Sequence, residues 1–181
     1  DTGSIPVLMD MFKDDNLYFV EGISDAAKDK PRVKDEDIIR KSHTAIDIDY
    51  RSRHPECTDE DIVQVGKRLH ELLLKTESSY KNFHSIVFTG NGLHVHYVGT
   101  PVEVSKEVWA NGMELFIDQF AKKIGFEEEI DRACKNASRL WRVVGSYNCK
   151  KEKKLVRELH HGGNMFDMDL ILQVGRLARK E

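Results

Sequence analysis

The stretch Thr44-Ala45-Ile46-Asp47-Ile48-Asp49-Tyr50 limits the possible folds more than any other part of the chain. Apolar and acidic residues alternate with a period of two, the pattern of a half-buried β-strand. Ile46 and Ile48 then turn to one side and Asp47 and Asp49 to the other. Two carboxylates so placed repel one another, and burying them without partners is costly. A hard divalent cation such as Mg²⁺ or Mn²⁺ relieves both costs, because it takes carboxylate oxygens. The polar face of an edge strand explains the same pair without any ion. The rest of the chain bears on the choice, since it supplies a candidate triphosphate site and a third carboxylate.

At 181 residues the chain suits one domain with a substantial core. Its formal net charge is −3, so bulk charge does not wrap nucleic acid and any such contact needs a local patch. Cys57, Cys134 and Cys149 are an odd set with no close pair, which argues against a disulfide framework and fits a reducing compartment. His54-x-x-Cys57 offers half a zinc site without evident partners. No run is long enough to span a bilayer and no signal peptide is visible. The expected location is therefore the cytoplasm or nucleoid, with no membrane partner. The opening Asp1-Thr2-Gly3-Ser4 reads as a cut into a longer protein.

Leu17 to Gly22 is aromatic and β-branched and predicts a strand ending at glycine. From Ser24 to Lys34 the chain is polar and basic (Lys28, Lys30, Arg32), a loop suited to solvent or to a phosphate or template contact. Arg51 to Cys57 reads as a polar connection. Thr58-x-x-Asp61 resembles a capping box, and Ile62, Val65, Leu69, Leu72 and Leu73 follow at helical spacing, predicting a helix over 59–76. Ser85–Thr89 and Leu93–Val98 read as strands joined through Gly90-Asn91-Gly92, a hairpin. A second long helix is expected from about Ser105 to Lys123, ending near Gly125, and a last one from Leu170 to Leu177. This order of elements is α+β or α/β, a sheet covered by two main helices.

Alternation in the second hairpin strand puts His94 and His96 on one face, beside glycines that leave room for a ligand. Such a pair can bind phosphate, ligate a metal, or sit half exposed. Ile130-Asp131 ends an acidic segment in which Glu127, Glu128 and Glu129 read as a solvated run; Asp118 is expected on the exposed side of its helix. Arg139, Arg142 and Lys150 can hold anionic oxygens, arginine through its bidentate fork, although each alone is equally a surface charge.

These residues carry a resemblance. Ile46-Asp47-Ile48-Asp49, then Thr89-Gly90-Asn91-Gly92-Leu93-His94-Val95, then Ile130-Asp131, resemble the three ordered motifs of the archaeo-eukaryotic primase superfamily. Those motifs are an acidic pair on a strand, a small-x-His segment and a hydrophobic–Asp pair. Ser138 to Lys150 further resembles the R-x-P-G-T-x-N-x-K segment of phage- and plasmid-borne primase-polymerases, with Val144 in place of proline and Ser146 in place of threonine. The similarity covers about residues 17–150 of one catalytic domain spanning 1–181. It implies an RRM-like α+β core, antiparallel or mixed sheet against helices, and a template-dependent nucleotidyltransferase, a DNA primase or polymerase. It implies Asp47, Asp49 and Asp131 as catalytic carboxylates holding two Mg²⁺ or Mn²⁺ ions, which suits in-line displacement of pyrophosphate by a 3′-hydroxyl. It carries nucleotide binding to His94 and not to His96, with Arg142, Lys150 and Arg139 as further phosphate contacts. Asn148 would orient a ribose hydroxyl or brace the turn. The implied partners are a single-stranded template and primer, NTP or dNTP, and fused or associated helicase or accessory domains. The cysteines are bystanders in this scheme.

Two other readings compete. His94-Val95-His96 and Tyr147-x-x-Lys150 also resemble rolling-circle initiators and relaxases, in which two histidines hold one metal and a tyrosine attacks DNA. There the tyrosine belongs on a helix, whereas Val143 to Tyr147 reads as strand into turn. A non-catalytic RRM-like module would instead need exposed sheet aromatics, for which Tyr18, Phe19 and Tyr97 are available.

Overall fold

The two periodicities of the sequence become one five-stranded sheet with its helices on one face. The computed structural model describes Val7, residues 10–24 and residues 33–178; the basic positions Lys28, Lys30 and Arg32 lie outside the described residues. The strands are β1 (Tyr18–Val20), β2 (Gly22–Ile23), β3 (Arg40–Ile48), β4 (Ser85–Phe88), β5 (Leu93–Glu103), β6 (Leu140–Arg142), β7 (Tyr147–Asn148), β8 (Lys154–Leu155) and β9 (Arg157–His161). The helices are α1 (Tyr50–Arg53), α2 (Asp59–Lys75), α3 (Lys106–Ile124) and α4 (Asp169–Leu177). The main sheet has the order β2-β3-β5-β4-β9 with every pairing antiparallel, and β1-β6 and β7-β8 form two separate antiparallel ribbons.

Local chemistry explains the helix boundaries. The Thr58 hydroxyl accepts from the Asp61 amide at 3.2 Å, and the Asp61 carboxylate accepts from the Thr58 amide at 2.8 Å, so α2 starts in a closed capping box. Gly125, at φ 100°, ends α3 in a conformation that residues with a Cβ rarely adopt. Ile46, Ile48, Ile86, Phe88, Val95 and Tyr97 project from the sheet into one core with Ile62, Leu69 and Leu73 of α2 and Trp109, Met113 and Phe120 of α3. Each such side chain contributes about 1.5–3 kcal/mol by leaving water.

Three expectations change here. The strand expected over Leu17–Gly22 is two strands: β1 joins β6 in a ribbon, and β2 enters the main sheet. A period of two gives no partner, and buried Glu21 between the two segments is held by the Lys41 ammonium and the Trp141 indole N–H. The acidic strand stops at Ile48; Asp49 is the N-cap of a helical turn, α1, where a polar connection was expected. Tyr97 is fully buried on the helix side, so it is no exposed aromatic for an RRM-like binding face.

Candidate active site

The sheet face opposite the helices bears Asp47 and His94, which stand directly across from one another on β3 and β5. Beyond β3 the chain returns alongside: the Asp49 amide donates to the Glu129 carbonyl at 2.8 Å, and the Asp131 amide donates to the Asp47 carbonyl at 2.9 Å. A bridge between Ile48 and Ile130 completes this short pairing. Main-chain hydrogen bonds thus carry Asp131 beside Asp47 across more than eighty residues of intervening chain.

The carboxylates are tightly linked. Asp131 Oδ1 accepts from the Ala133 amide at 2.9 Å, while its Oδ2 receives Arg139 Nη2 at 3.0 Å and the Cys134 thiol at 3.2 Å. Arg139 Nη2 is 3.9 Å and Cys134 Sγ 3.8 Å from Asp47 Oδ2; His94 Nε2 is 3.7 Å from Asp47 Oδ1. Burial, reinforced by the Asp131 and Asp49 charges and opposed by Arg139, pushes the Asp47 carboxyl up to about 7. Burial also acts to raise Asp131, but the Ala133 amide, the Cys134 thiol and Arg139 outweigh it and hold that carboxyl below its ordinary value. Burial and the nearby Arg142 and Arg139 push His94 down to about 3, so its imidazole is neutral. Asp49 is exposed at the end of the strand.

Asp47 and Asp49 share a cavity of about 120 Å³ with His94, Arg142, Asn148 and Lys150. Arg142 is buried, donates to Asn16 Oδ1 at 2.8 Å, and lies 4.9 Å over the Tyr18 ring. Asn148 donates through Nδ2 to the Thr89 carbonyl at 2.8 Å, and its Oδ1 accepts from the Lys150 amide at 3.2 Å. Of the two roles weighed for Asn148, these contacts perform the bracing one. Arg139 does not line this cavity; its partner is the acidic pair. Asp49 and Asp131 also border a second, open groove of about 720 Å³, lined by Arg53, Glu127–Arg132 and their neighbours. The carboxylates therefore stand between two concavities, the smaller of them basic.

Some sequence readings are corrected. A Cβ at Gly92 would strike the Ile48 carbonyl, and one at Gly90 (φ 93°) would press on Asn148. The space left by these glycines is filled by the protein itself, not by a ligand. His96 is buried and paired, with Nδ1 2.7 Å from His43 Nε2, so the two strand histidines do not converge on one exposed metal. Tyr147 lies on β7 with Lys153 4.5 Å from its ring, not on a helix. Asp118 is only partly exposed and pairs with Arg132. Glu127 and Glu128 are exposed, whereas Glu129 bonds His54 at 2.8 Å. That bond uses the His54 side chain, and among the described residues no group of three metal donors includes His54 or Cys57.

Cys134 is no bystander. Among the described residues, one carboxylate oxygen each from Asp47 and Asp131 and the Cys134 sulfur form a set of three potential metal donors within 4.8 Å of one another. Sequence reasoning missed it, although the Asp131-x-x-Cys134 spacing brings both onto one turn, closed by the Cys134 amide on the Asp131 carbonyl at 3.3 Å. It also missed Asn16 as the partner of Arg142, and the buried knot in which Glu21 receives Lys41 and Trp141 and lies 3.3 Å from His43 Nδ1. Trp141 then packs edge-on against His94, ring centroids 4.8 Å apart. The donor set suits a divalent cation. Its oxygens match a hard ion, and the orphaned Nδ1 of buried His94 shows a polar environment prepared without a protein partner.

No protein-family model matches the chain, and no curated protein matches it. Its structure is similar to the AEP domain of the primase-polymerase of cyanophage S-2L, with a TM-score of 0.56 and 17% identity, covering 94% of this chain and 76% of that one. It is also similar to the catalytic domain of primase RepB′ solved in complex with initiator DNA, with a TM-score of 0.51 and 13% identity, covering 98% of this chain and 74% of that one. The α+β fold is that of the archaeo-eukaryotic primase-polymerases. No helix among the described residues is long and apolar enough to cross a membrane.

Proposed function

We propose that the chain, which carries the primase-polymerase fold, is a template-dependent nucleotidyltransferase that adds nucleotides to a 3′-hydroxyl. One observation carries this reading: the acidic group of Asp47, Asp49 and Asp131 adjoins a cavity lined by His94, Arg142 and Lys150. That juxtaposition is what transfer of a nucleotidyl group from a triphosphate requires, anion binding on one side and metal-binding carboxylates on the other. Two divalent cations, Mg²⁺ or Mn²⁺, supply activation of the hydroxyl and stabilisation of the leaving pyrophosphate when bound.

The chain's own residues prepare this chemistry. Asp47, Asp49 and Asp131 offer the ligands. Arg139 holds Asp131 and Asp47 together by neutralising part of their repulsion. His94, neutral and locked by Trp141, offers a directional hydrogen bond to a phosphate oxygen, while Arg142 and Lys150 offer charge. Asn148 braces the Thr89–Gly92 turn so that the cavity keeps its shape. Single-stranded nucleic acid is the partner this activity requires, and the RepB′ domain, solved with initiator DNA, supports that choice.

The test is to incubate the protein with a single-stranded template, a primer, labelled nucleotides and Mn²⁺. Template-directed polymer is expected, and it should vanish in the Asp47→Ala, Asp49→Ala double variant while the fold persists. A nicked strand covalently attached to the protein, with no polymer, would overturn the reading.

A further inference from the structure

The chemistry above uses two of the three donors gathered at the acidic site and leaves the sulfur idle. Cys134 is 2% exposed and packs with Ala45 and Trp141, as a small apolar filler would. Its thiol nevertheless turns to the carboxylates, 3.2 Å from Asp131 Oδ2 and 3.8 Å from Asp47 Oδ2. Donors no more than 4.8 Å apart can reach one ion at or close to the roughly 2.0–2.3 Å of oxygen– and sulfur–metal bonds. An independent feature points to the same place. His94 is 6% exposed, its Nδ1 has no partner, and its Nε2 stands 3.7 Å from Asp47 Oδ1, too far for a hydrogen bond.

We propose that Asp47, Asp131 and Cys134 form a binding site for a thiophilic divalent cation of the class of Zn²⁺, Co²⁺ or Cd²⁺, with the sulfur as the ligand that sets its selectivity. The inference rests on the reading of Asp47 and Asp131 as metal-binding carboxylates. A hard ion such as Mg²⁺ gains little from sulfur, so with Mg²⁺ the thiol keeps its proton and its hydrogen bond to Asp131. With a thiophilic ion the S–H bond breaks, the proton leaves to solvent and a sulfur–metal bond forms, with no change of oxidation state. The same cavity wall thus reads the softness of the ion. Thiophilic ions displace Mg²⁺ at concentrations far below it.

The experiment is a Co²⁺ titration of the metal-free chain at neutral pH, followed by absorption and by proton release. The expected result is a sulfur-to-cobalt charge-transfer band in the near ultraviolet together with visible cobalt bands. The charge-transfer band should disappear in Cys134→Ser and in Asp131→Asn and survive in the Cys57→Ser, Cys149→Ser double variant. Cys134→Ser should still bind Co²⁺ through oxygen, at least about tenfold more weakly. Three results would overturn the proposal, and they differ in what else they remove. Visible cobalt bands that depend on Asp47 but come without a charge-transfer band leave the carboxylate site standing and remove the sulfur. A charge-transfer band that persists in Cys134→Ser assigns it to another cysteine. No Co²⁺ binding at all removes the carboxylate site as well.

Discussion

On the helix side of β3, Ile46 and Ile48 are fully buried among the side chains of α2 and α3; on the other side, Ala45 and Asp47 meet Trp141, Cys134 and His94. The same nine-residue strand builds both surfaces. Its helix side satisfies itself with apolar contacts that many sequences could supply. Its other side collects Asp47, His94 and His96 under a lid of β1 and β6, where every polar group needs a named partner or pays for its desolvation. Stability is concentrated on the first side, and the candidate chemistry on the second.

The sharpest test of this division is Asp47→Asn. It should lower nucleotide incorporation by about 10³-fold or more, the scale of removing a preorganised electrostatic group, while the thermal midpoint does not fall. The reason is that Asp47 is desolvated and repelled by Asp131 and Asp49. If the variant unfolds instead, Asp47 belongs with the core and the division fails. Ile46→Ala is the reciprocal experiment. A fully buried side chain removed from the core should cost about 2–5 kcal/mol in urea denaturation, with near-normal activity per folded molecule.

The two strand histidines sharpen the comparison within one face. His94→Ala should reduce kcat/KM at least about tenfold more than His96→Ala. His96→Ala should instead destabilise the fold by about 1–3 kcal/mol, because His43 loses its partner inside the protein. Equal catalytic losses from steady-state kinetics would return the two-histidine metal site to consideration. The pH dependence is a smaller effect. Asp47 holds a proton below about 7 in the metal-free protein, and a bound cation must displace it. Apparent Mn²⁺ affinity should therefore rise close to tenfold per pH unit up to about 7 and level off above it; Asp47→Asn should flatten the profile measured by calorimetry. The smallest effect is expected from Tyr147→Phe. The Tyr147 ring lies under Lys153, and no hydrogen bond from its hydroxyl is found among the described residues, so stability should change by less than about 0.5 kcal/mol and synthesis should continue. Loss of a covalent DNA adduct in this variant would contradict the division of roles.

Much of the helix side was legible in the chain. Thr58-x-x-Asp61 announces α2 through a local exchange of two hydrogen bonds, and the Ile62–Leu73 spacing marks its buried stripe. The hairpin through Gly90-Asn91-Gly92 was likewise visible, since turn chemistry is written within a few residues. The reason for its glycines was not: the Ile48 carbonyl that crowds Gly92 is more than forty residues away in sequence. The same distance in sequence hid the partners of Glu21 and His96.

The alternation from Thr44 to Tyr50 therefore determined by itself that Asp47 would oppose the core, because side-chain direction in a strand follows from backbone geometry alone. The order of the three acidic and histidine motifs carried the resemblance to the primase-polymerases, because order along a chain is a property of sequence. Only the tertiary structure decided that Asp131 lies against Asp47, that Cys134 turns its sulfur to both, and that Arg139 serves the carboxylates while Arg142 serves the cavity. Those outcomes depend on main-chain pairing and desolvation among segments far apart in the chain, and neither has a local signature in sequence.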